Sequence, residues 1–380
     1  MLKKNEISLF FQHLPPFPGA GSRRAQSIIS SFNSEKTKLN IYSTNIKNRS
    51  KKNIRFHNIY GPKMGNKENY MFRFFKELLT GIHVSFKLFL QFKRPDLLII
   101  SSPSYFAFLI LALFAKLRKI NYALEIRDIY PEVFVHSGLL NNFNFIINFF
   151  HYITTYIYQN SSLIICSNRL IEKNIFQKIK SDKVKTVFNG FPDEMIELSN
   201  SKFKKFTICF HGVLGVFQDI NTLSKVIKEL ELENVNIIAI GYGPKEKLLQ
   251  NINQKNFKFY GKKTLNETLQ IVSKCHIGLS LRTNDYISKN CFPVKNWEYL
   301  GAGIPTVNTP YNEASMFCEK NKIGFSCEPG EIISIVNFIK KYINNEELYK
   351  KHNENCLKIR NNYSRSMTGN QSVKLFTQVI

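Results

Sequence analysis

Apolar and polar positions change period along the chain and lay out a succession of strands and helices. Ile7–Gln12 is an apolar run of strand length, Arg23–Phe32 has helical spacing, and Leu39–Thr44 returns to a strand pattern. Met71–Phe92 is helical in composition, with Phe72, Phe74, Phe75, Phe86, Phe89 and Phe92 interleaved with Arg73, Lys76 and Lys87. It reads as a helix covering a sheet, with contact to a membrane interface as the lesser alternative. Then come strand Leu97–Ser101, helix Ser104–Leu117, strand Tyr122–Ile126, helix Phe143–Tyr158, strand Leu163–Cys166, helix Asn168–Ile179 and strand Lys185–Phe188. This alternation is that of parallel α/β sheets.

Asn189-Gly190 marks a turn, and the polar residues 192–204 read as a linker. A second series of strands follows at Phe206–Phe210, Val235–Ile240, Phe257–Tyr260, Ile277–Leu281 and Thr306–Thr309. Helices are expected at Lys245–Ile252, after the capping-box pattern Thr264-Leu-Asn-Glu267, and at Asn312–Lys320 and Glu331–Ile343. Between them lie the loops His211-Gly-Val-Leu-Gly215, Gly241-Tyr-Gly-Pro244 and Arg282–Lys289. At 380 residues, the chain suits two domains of ordinary size.

Composition narrows the picture. Apolar residues make up 43%, enough for sizeable cores, yet no uninterrupted apolar stretch is long enough to span a bilayer. The apolar amino-terminal run is broken by Pro15, Pro16 and Pro18, so it reads as a strand rather than a signal peptide. The 7 cysteines are scattered singly, which argues for a reducing compartment and against zinc. Cys166, Cys209 and Cys275 lie in or beside apolar runs and are expected to be buried. The net charge of +25 is uneven: residues 1–195 hold 28 basic and 12 acidic side chains, the remainder 25 and 16. From Lys36 to Lys67 there are 9 basic residues and no acidic one. Such a surface seeks phosphates, on nucleic acid or on an anionic membrane, although AT-biased codon usage would also enrich lysine.

The candidate chemistry centres on Asn290–Pro305, N-C-F-P-V-K-N-W-E-Y-L-G-A-G-I-P. Pro293 suits the first turn of a helix, Lys295–Leu300 continue it, and Gly301 and Gly303 stop it. Lys295 and Glu298 then share a face near the amino-terminal end, where an anion is favoured. A carboxylate one turn further in can accept two hydroxyl hydrogen bonds, as from a ribose. The plainer alternative is a solvated Lys–Glu pair on an amphipathic helix. Elsewhere, strand Tyr122–Ile126 delivers Arg127-Asp128-Ile-Tyr-Pro-Glu132 at its carboxyl end, where open α/β sheets carry function. Asp128 there can orient or deprotonate a hydroxyl, and Arg127 can hold a phosphate; the alternative is an Arg–Asp pair bracing a loop.

Pro-Val-Lys-x-x-Glu-Tyr-Leu-Gly-Ala-Gly-Ile-Pro resembles the nucleotide-sugar signature of the family 4 glycosyltransferases. Glu125-Ile-Arg-Asp-Ile-Tyr-Pro-Glu resembles a branch that builds bacterial surface polysaccharides, including transferases for N-acetylfucosamine-type sugars, with Tyr130 in place of the more usual tryptophan. The resemblance implies the α/β GT-B fold: two facing Rossmann-like domains with parallel sheets and a deep inter-domain cleft. Residues 1–195 would be the acceptor- and membrane-facing domain and 196–358 the nucleotide-sugar domain. Residues 359–380, from around Tyr363-Ser-Arg onward, resemble the final helix that crosses back to the first.

By the same resemblance Glu298 holds the donor ribose. A glutamate eight positions earlier usually contacts the donor sugar, and Asn290 stands there in this chain. Gly212 and Gly215 match the phosphate loop after the first strand of the second domain, and Gly241 and Gly243 a further loop. Gly21, within Gly19-Ala-Gly-Ser-Arg-Arg, matches the glycine-rich first loop, where backbone passes close to donor and acceptor, and is counted with the donor-binding glycines; Arg24 and Arg127 are placed on the acceptor side. Many relatives carry a lysine where Gln218-Asp219 stands; Lys295, with Arg282, is the substitute that the charge of the diphosphate calls for. The catalytic candidates are Asp128 and Asn290, and no metal or cofactor is expected.

The implied activity is transfer of a sugar, such as an N-acetylated hexosamine or deoxyhexosamine, from a nucleoside diphosphate to a lipid-linked saccharide. The setting would be bacterial capsule, O-antigen or exopolysaccharide synthesis, with retention of configuration, on the cytoplasmic face of the membrane. Two alternatives are a non-hydrolysing sugar-nucleotide epimerase, which shares the fold, and a basic nucleic-acid-binding protein, for which no recognition motif is present. His13 and His211, on loops beside the expected site, are the histidines worth testing.

Overall fold

The computed structural model describes residues 4–17, 19–33, 35–44, 46–47, 49–61, 70–91, 93–102, 104–136, 144–198 and 201–380. Pro18, Phe92 and part of the basic Lys36–Lys67 stretch lie outside them. The chain forms two compact units, Met1–Phe188 with Thr368–Ile380, and Asn189–Met367. The expected boundaries were 195/196 and 358/359.

In chain order the first unit contains β1 (Asn5–His13), α1 (Ala20–Ser31), β2 (Thr37–Thr44), β3 (Arg49–Lys51), β4 (Ile54–Ile59), α2 (Tyr70–Phe89), β5 (Leu97–Ser101), α3 (Tyr105–Leu117), β6 (Tyr122–Ile126), α4 (Glu132–His136), α5 (Asn144–Asn160), β7 (Leu163–Cys166), α6 (Arg169–Ile179) and β8 (Val184–Thr186). Its sheet has the order β3-β4-β2-β1-β5-β6-β7-β8, parallel except where β3 meets β4. Alternate residues of one strand face opposite sides. Phe10, Tyr42, Leu98, Ile100, Leu124 and Ile126 pack with α2, α3, α5 and α6. Ile7, Leu9, Leu39, Ile41, Leu97 and Ile99 pack with α1 and with Phe376 near the carboxyl end. Strands β3 and β4 arise within the basic stretch that the sequence left unassigned; Ile54-Arg-Phe-His-Asn-Ile alternates by two, but its charges mask the pattern.

The second unit continues with α7 (Glu194–Glu197), β9 (Phe206–Val213), α8 (Ile220–Glu229), β10 (Val235–Tyr242), α9 (Glu246–Gln250), β11 (Phe257–Phe259), α10 (Leu265–Ser273), β12 (Ile277–Leu281), α11 (Tyr286–Lys289), α12 (Val294–Gly301), β13 (Thr306–Thr309), α13 (Glu313–Asn321), β14 (Gly324–Ser326), α14 (Ile332–Asn344), α15 (Glu346–Arg360) and a 3-10 turn at Asn361–Tyr363; the last helix, α16 (Arg365–Thr377), starts in this unit and from Thr368 onward belongs to the first. Its sheet is wholly parallel in the order β11-β10-β9-β12-β13-β14. The order reverses between β9 and β12, which makes the carboxyl ends of these two strands the topological switch point.

Several elements depart from the sequence reading. The expected linker contains α7, the expected loop Arg282–Lys289 contains α11, and α15 was not anticipated because Cys356 is its one fully buried residue. The capping box at Thr264–Glu267 forms as the pattern predicts. Cys166, Cys209 and Cys275 are buried free thiols.

Candidate functional site

In the second unit the candidate residues gather around α12. Pro293 is its N-cap and supplies no side-chain cap. The helix runs through Gly301; Gly303, at φ 68°, is the residue that turns the chain away, beside Leu357 of α15. Burial fixes the helix from several sides. Trp297 stacks on Phe292 at 4.2 Å, and Tyr299 donates from its hydroxyl to the carbonyl of Leu279 at 3.0 Å. The Tyr299 ring lies where a side chain at 278 would stand, so Gly278 makes room for it.

Lys295 and Glu298 are both buried, which rules out the solvated-pair alternative. The Lys295 Nζ donates to Oε1 of Gln218 at 2.8 Å and lies 4.1 Å from the centre of the Phe210 ring. Burial, and after it the charge of Arg282, brings its pKa down to about 7. Glu298 has Nε2 of His211 3.6 Å from one oxygen and the Arg365 guanidinium 3.9 Å from the other. The Glu298 carboxylate therefore sits between two nitrogen groups at the end of β9 and the start of α16.

The segment after β9 folds back onto β12. Gln218 and Arg282 form a bridge, the Asp219 N–H donates to the Leu281 carbonyl at 3.2 Å, and the Thr283 N–H donates to Phe217 at 3.1 Å. Lys245 holds this segment from the far side, donating from Nζ to the carbonyls of Val216 and Gln218 at 2.9 and 2.6 Å. Asp219 caps α8 by accepting from Thr222. The Gln218-Asp219 pair is thus spent on shaping the segment and on holding Lys295.

The glycines divide by role. His211 and Gly212 belong to β9 rather than to a loop; Gly212 has φ 121°, and its open side faces the Lys295 side chain. Gly215 is in the segment itself, with open space where a Cβ would be. Gly241 is the close-approach point of β10 to β9, since a Cβ there would fall 2.1 Å from the Gly212 carbonyl oxygen. Gly243, at φ 143°, lies against the Leu214 backbone. Gly241 and Gly243 therefore act through packing. Arg282 is half-buried, with Nε donating to Ser288 at 3.2 Å and its guanidinium 5.6 Å from the Phe217 ring. Asn290 is the C-cap of α11 and its Nδ2 donates to the Tyr286 carbonyl at 2.9 Å. Arg365 and Gln218 are the site residues that sequence reasoning did not assign.

The first unit, whose own switch point lies between β1 and β5, carries the other candidates. Asp128 follows β6 and is exposed; Arg127 before it is half-buried, its N–H donating to Ser102 Oγ at 3.1 Å. Gly21 is not in a loop, as expected, but in the first turn of α1, and Gly19 at φ 120° is the N-cap. The Arg127 guanidinium lies directly on Gly21: a Cβ there would fall 1.8 Å from its Nη1. His13, at the end of β1, stacks on Phe17 at 4.2 Å and contacts Thr44 Oγ1 at 3.0 Å. Burial, then the charges of Arg73 and Arg127, lower its pKa to about 4, so it is neutral at physiological pH. Arg24 is the correction in this unit. It does not face an acceptor: it is buried, pairs with buried Glu125 at 2.7 Å, and donates to the carbonyls of Val187 and Phe188.

Comparison with known proteins shows what this arrangement is similar to. Residues 193–358 match the family model of glycosyl transferases group 1. The matched group 1 segment holds Lys295, Glu298, Arg282, Asn290 and the four glycines from Gly212 to Gly243. No curated protein sequence matches the chain. Among solved structures, sucrose-phosphate synthase from Thermosynechococcus elongatus superposes with a TM-score of 0.73 at 12% identity, covering 99% of both chains. Anabaena HepE in complex with UDP gives 0.70 at 14% identity, covering 99% of this chain and 100% of that one. WaaG, a glycosyltransferase involved in lipopolysaccharide biosynthesis, gives 0.68 at 11% identity, covering 98% and 99%. These likenesses establish the fold as GT-B, an α/β architecture of two units with parallel sheets.

Proposed function

We propose that this protein is a glycosyltransferase that moves a sugar from a nucleoside diphosphate to a hydroxyl of a lipid-linked saccharide in bacterial surface polysaccharide synthesis. The observation that carries the reading is α12 itself. It lays a buried cation and a buried carboxylate one turn apart, beside the switch point of a wholly parallel sheet, inside the segment that matches group 1. In this reading Lys295, Arg282 and the amino-terminal end of α12 meet the developing charge of the leaving diphosphate. Glu298 accepts the two ribose hydroxyls. Asn290 contacts the donor sugar, Asp128 orients or deprotonates the acceptor hydroxyl, and Arg127 meets acceptor phosphate. The chemistry asks for positioning and charge neutralisation and needs no resident metal. Retention of configuration and an N-acetylated hexosamine or deoxyhexosamine follow from the family 4 resemblance. HepE was solved with UDP and with UDP-glucose, which makes a uridine donor the first to try. Peripheral contact with an anionic membrane would bring the unit to its acceptor.

Calorimetry with UDP-, GDP- and dTDP-sugars tests the reading. One of them binds, and Glu298→Ala abolishes that binding with the melting temperature retained. Two hydrogen bonds to a charged group, at about 1.5–3 kcal/mol each, make the loss on the order of a hundredfold or more. Unchanged affinity in the variant removes Glu298 from the donor site.

A further inference from the structure

Helix α2 carries two apolar stripes where a surface helix needs one. Its inner stripe, Thr80, Val84 and Leu88 with Glu77, is buried. Its outer stripe runs Phe72, Phe75, Leu79, Ile82, Phe86 and Phe89 at intervals of three and four, and every member is exposed, Phe72 by 67% and Phe86 by 58%. Helix α5 repeats the design. Thr154, Ile157 and Tyr158 face inward, and Phe145, Phe149, Tyr152 and Tyr156 face out, Phe145 by 84%. Helix α3 packs against both, and Leu117 at its carboxyl end is 83% exposed. The three helices converge at that end: Arg118 lies 4.7 Å over the Phe89 ring, and Lys116 bonds Asn160 at 2.6 Å.

Exposed apolar stripes on two neighbouring helices call for an occupant, and their charge selects one. The single acidic residue of α2, α3 and α5 is Glu77, and it is buried. Arg73, Lys76, Lys87, Lys116, Arg118 and Lys119 flank the stripes. Two copies of this face would set cation against cation. An anionic bilayer suits it, with aromatic rings at the boundary of headgroups and acyl chains and cations on the phosphates. We propose that the face formed by α2, α3 and α5 lies on an anionic phospholipid surface. This deepens the membrane contact of the preceding reading by naming the surface that makes it.

Flotation of the full chain with vesicles tests it. The protein rises with equal parts phosphatidylcholine and phosphatidylglycerol, at least on the order of tenfold more than with phosphatidylcholine alone, and added salt weakens the binding. Two exposed pairs, Phe75→Ser with Phe86→Ser and Phe149→Ser with Tyr152→Ser, each cut flotation on the order of tenfold while donor affinity and melting temperature stay as in the parent. A parent that stays off the mixed vesicles, or serine pairs that float like the parent, overturns the proposal. So does a concentration-dependent dimer that the same pairs dissociate, which would assign the face to a second copy. Flotation with no binding of any nucleotide sugar would sink the transferase reading and leave the membrane face standing.

Discussion

Lys295 is held near neutrality by its surroundings. Burial and then Arg282 set its pKa at about 7, against about 10.4 for a free lysine. A folded-state value below the unfolded one means that the unfolded chain binds the extra proton between those limits, so this residue's contribution to stability rises with pH across that window. A bound diphosphate acts in the opposite sense, because it favours the charged ammonium. In the proposed reading, where Lys295 meets the donor diphosphate, donor binding is expected to take up a proton above about pH 7, and affinity to fall as pH rises by up to roughly tenfold per unit. Lys295→Met flattens that profile; calorimetry in buffers of different ionisation enthalpy reads the proton directly. Lys295 and Glu298 were legible from their spacing on one short helix. Gln218, 77 positions away, was not, because nothing local ties an amide to a lysine on another element. Arg24 was misread for the same reason: its partner Glu125 is 101 positions away and buried with it.

At the scale of elements, strand cores read well and strand ends poorly. Leu97–Ser101, Tyr122–Ile126, Leu163–Cys166 and Ile277–Leu281 are long enough in apolar residues to show their limits. β9 and β10 run on through His211, Gly212 and Gly241, where glycine suggests a loop and neighbouring strands still supply hydrogen bonds. At Gly21 the glycine suggested a loop and the chain had already entered α1. That helix gives a sharp test. Alanine suits a helical turn better than glycine by roughly 0.5–1 kcal/mol, yet its methyl group would displace the Arg127 guanidinium. Gly21→Ala is expected to keep or raise the melting temperature and to leave donor affinity alone. If Arg127 meets acceptor phosphate, the acceptor KM rises; steady-state kinetics at fixed donor concentration decide it. Phe72, Phe75, Phe86 and Phe89 of the outer stripe of α2 stood out in the sequence as part of a phenylalanine-rich helix, while Leu79 and Ile82 did not, and a sequence cannot say which of two apolar stripes meets the sheet.

Across the whole molecule, two doubly wound sheets were readable from the alternation of strand and helix, and among the described residues no helix is long and apolar enough to cross a membrane. The point of division was less legible, because α7 and Phe191 pack on α12 and so draw the chain into the second unit from Asn189 onward. The last residues return to the first unit, where Phe376 is fully buried among Ile7, Leu9 and Ile28. Phe376→Ala should cost about 3–5 kcal/mol, all of it in the first unit. Denaturant unfolding would then show an earlier transition while donor affinity, which the proposed function assigns to the second unit, is unchanged.

That returning segment also orders events during synthesis. The ribosome makes β1 to β8 first, yet the core they enclose lacks Phe376 until every residue of the other unit has been translated. The unit begun earliest is the one finished last, and until then the apolar patch awaiting Phe376 stays open to whatever chaperone or neighbouring nascent chain meets it.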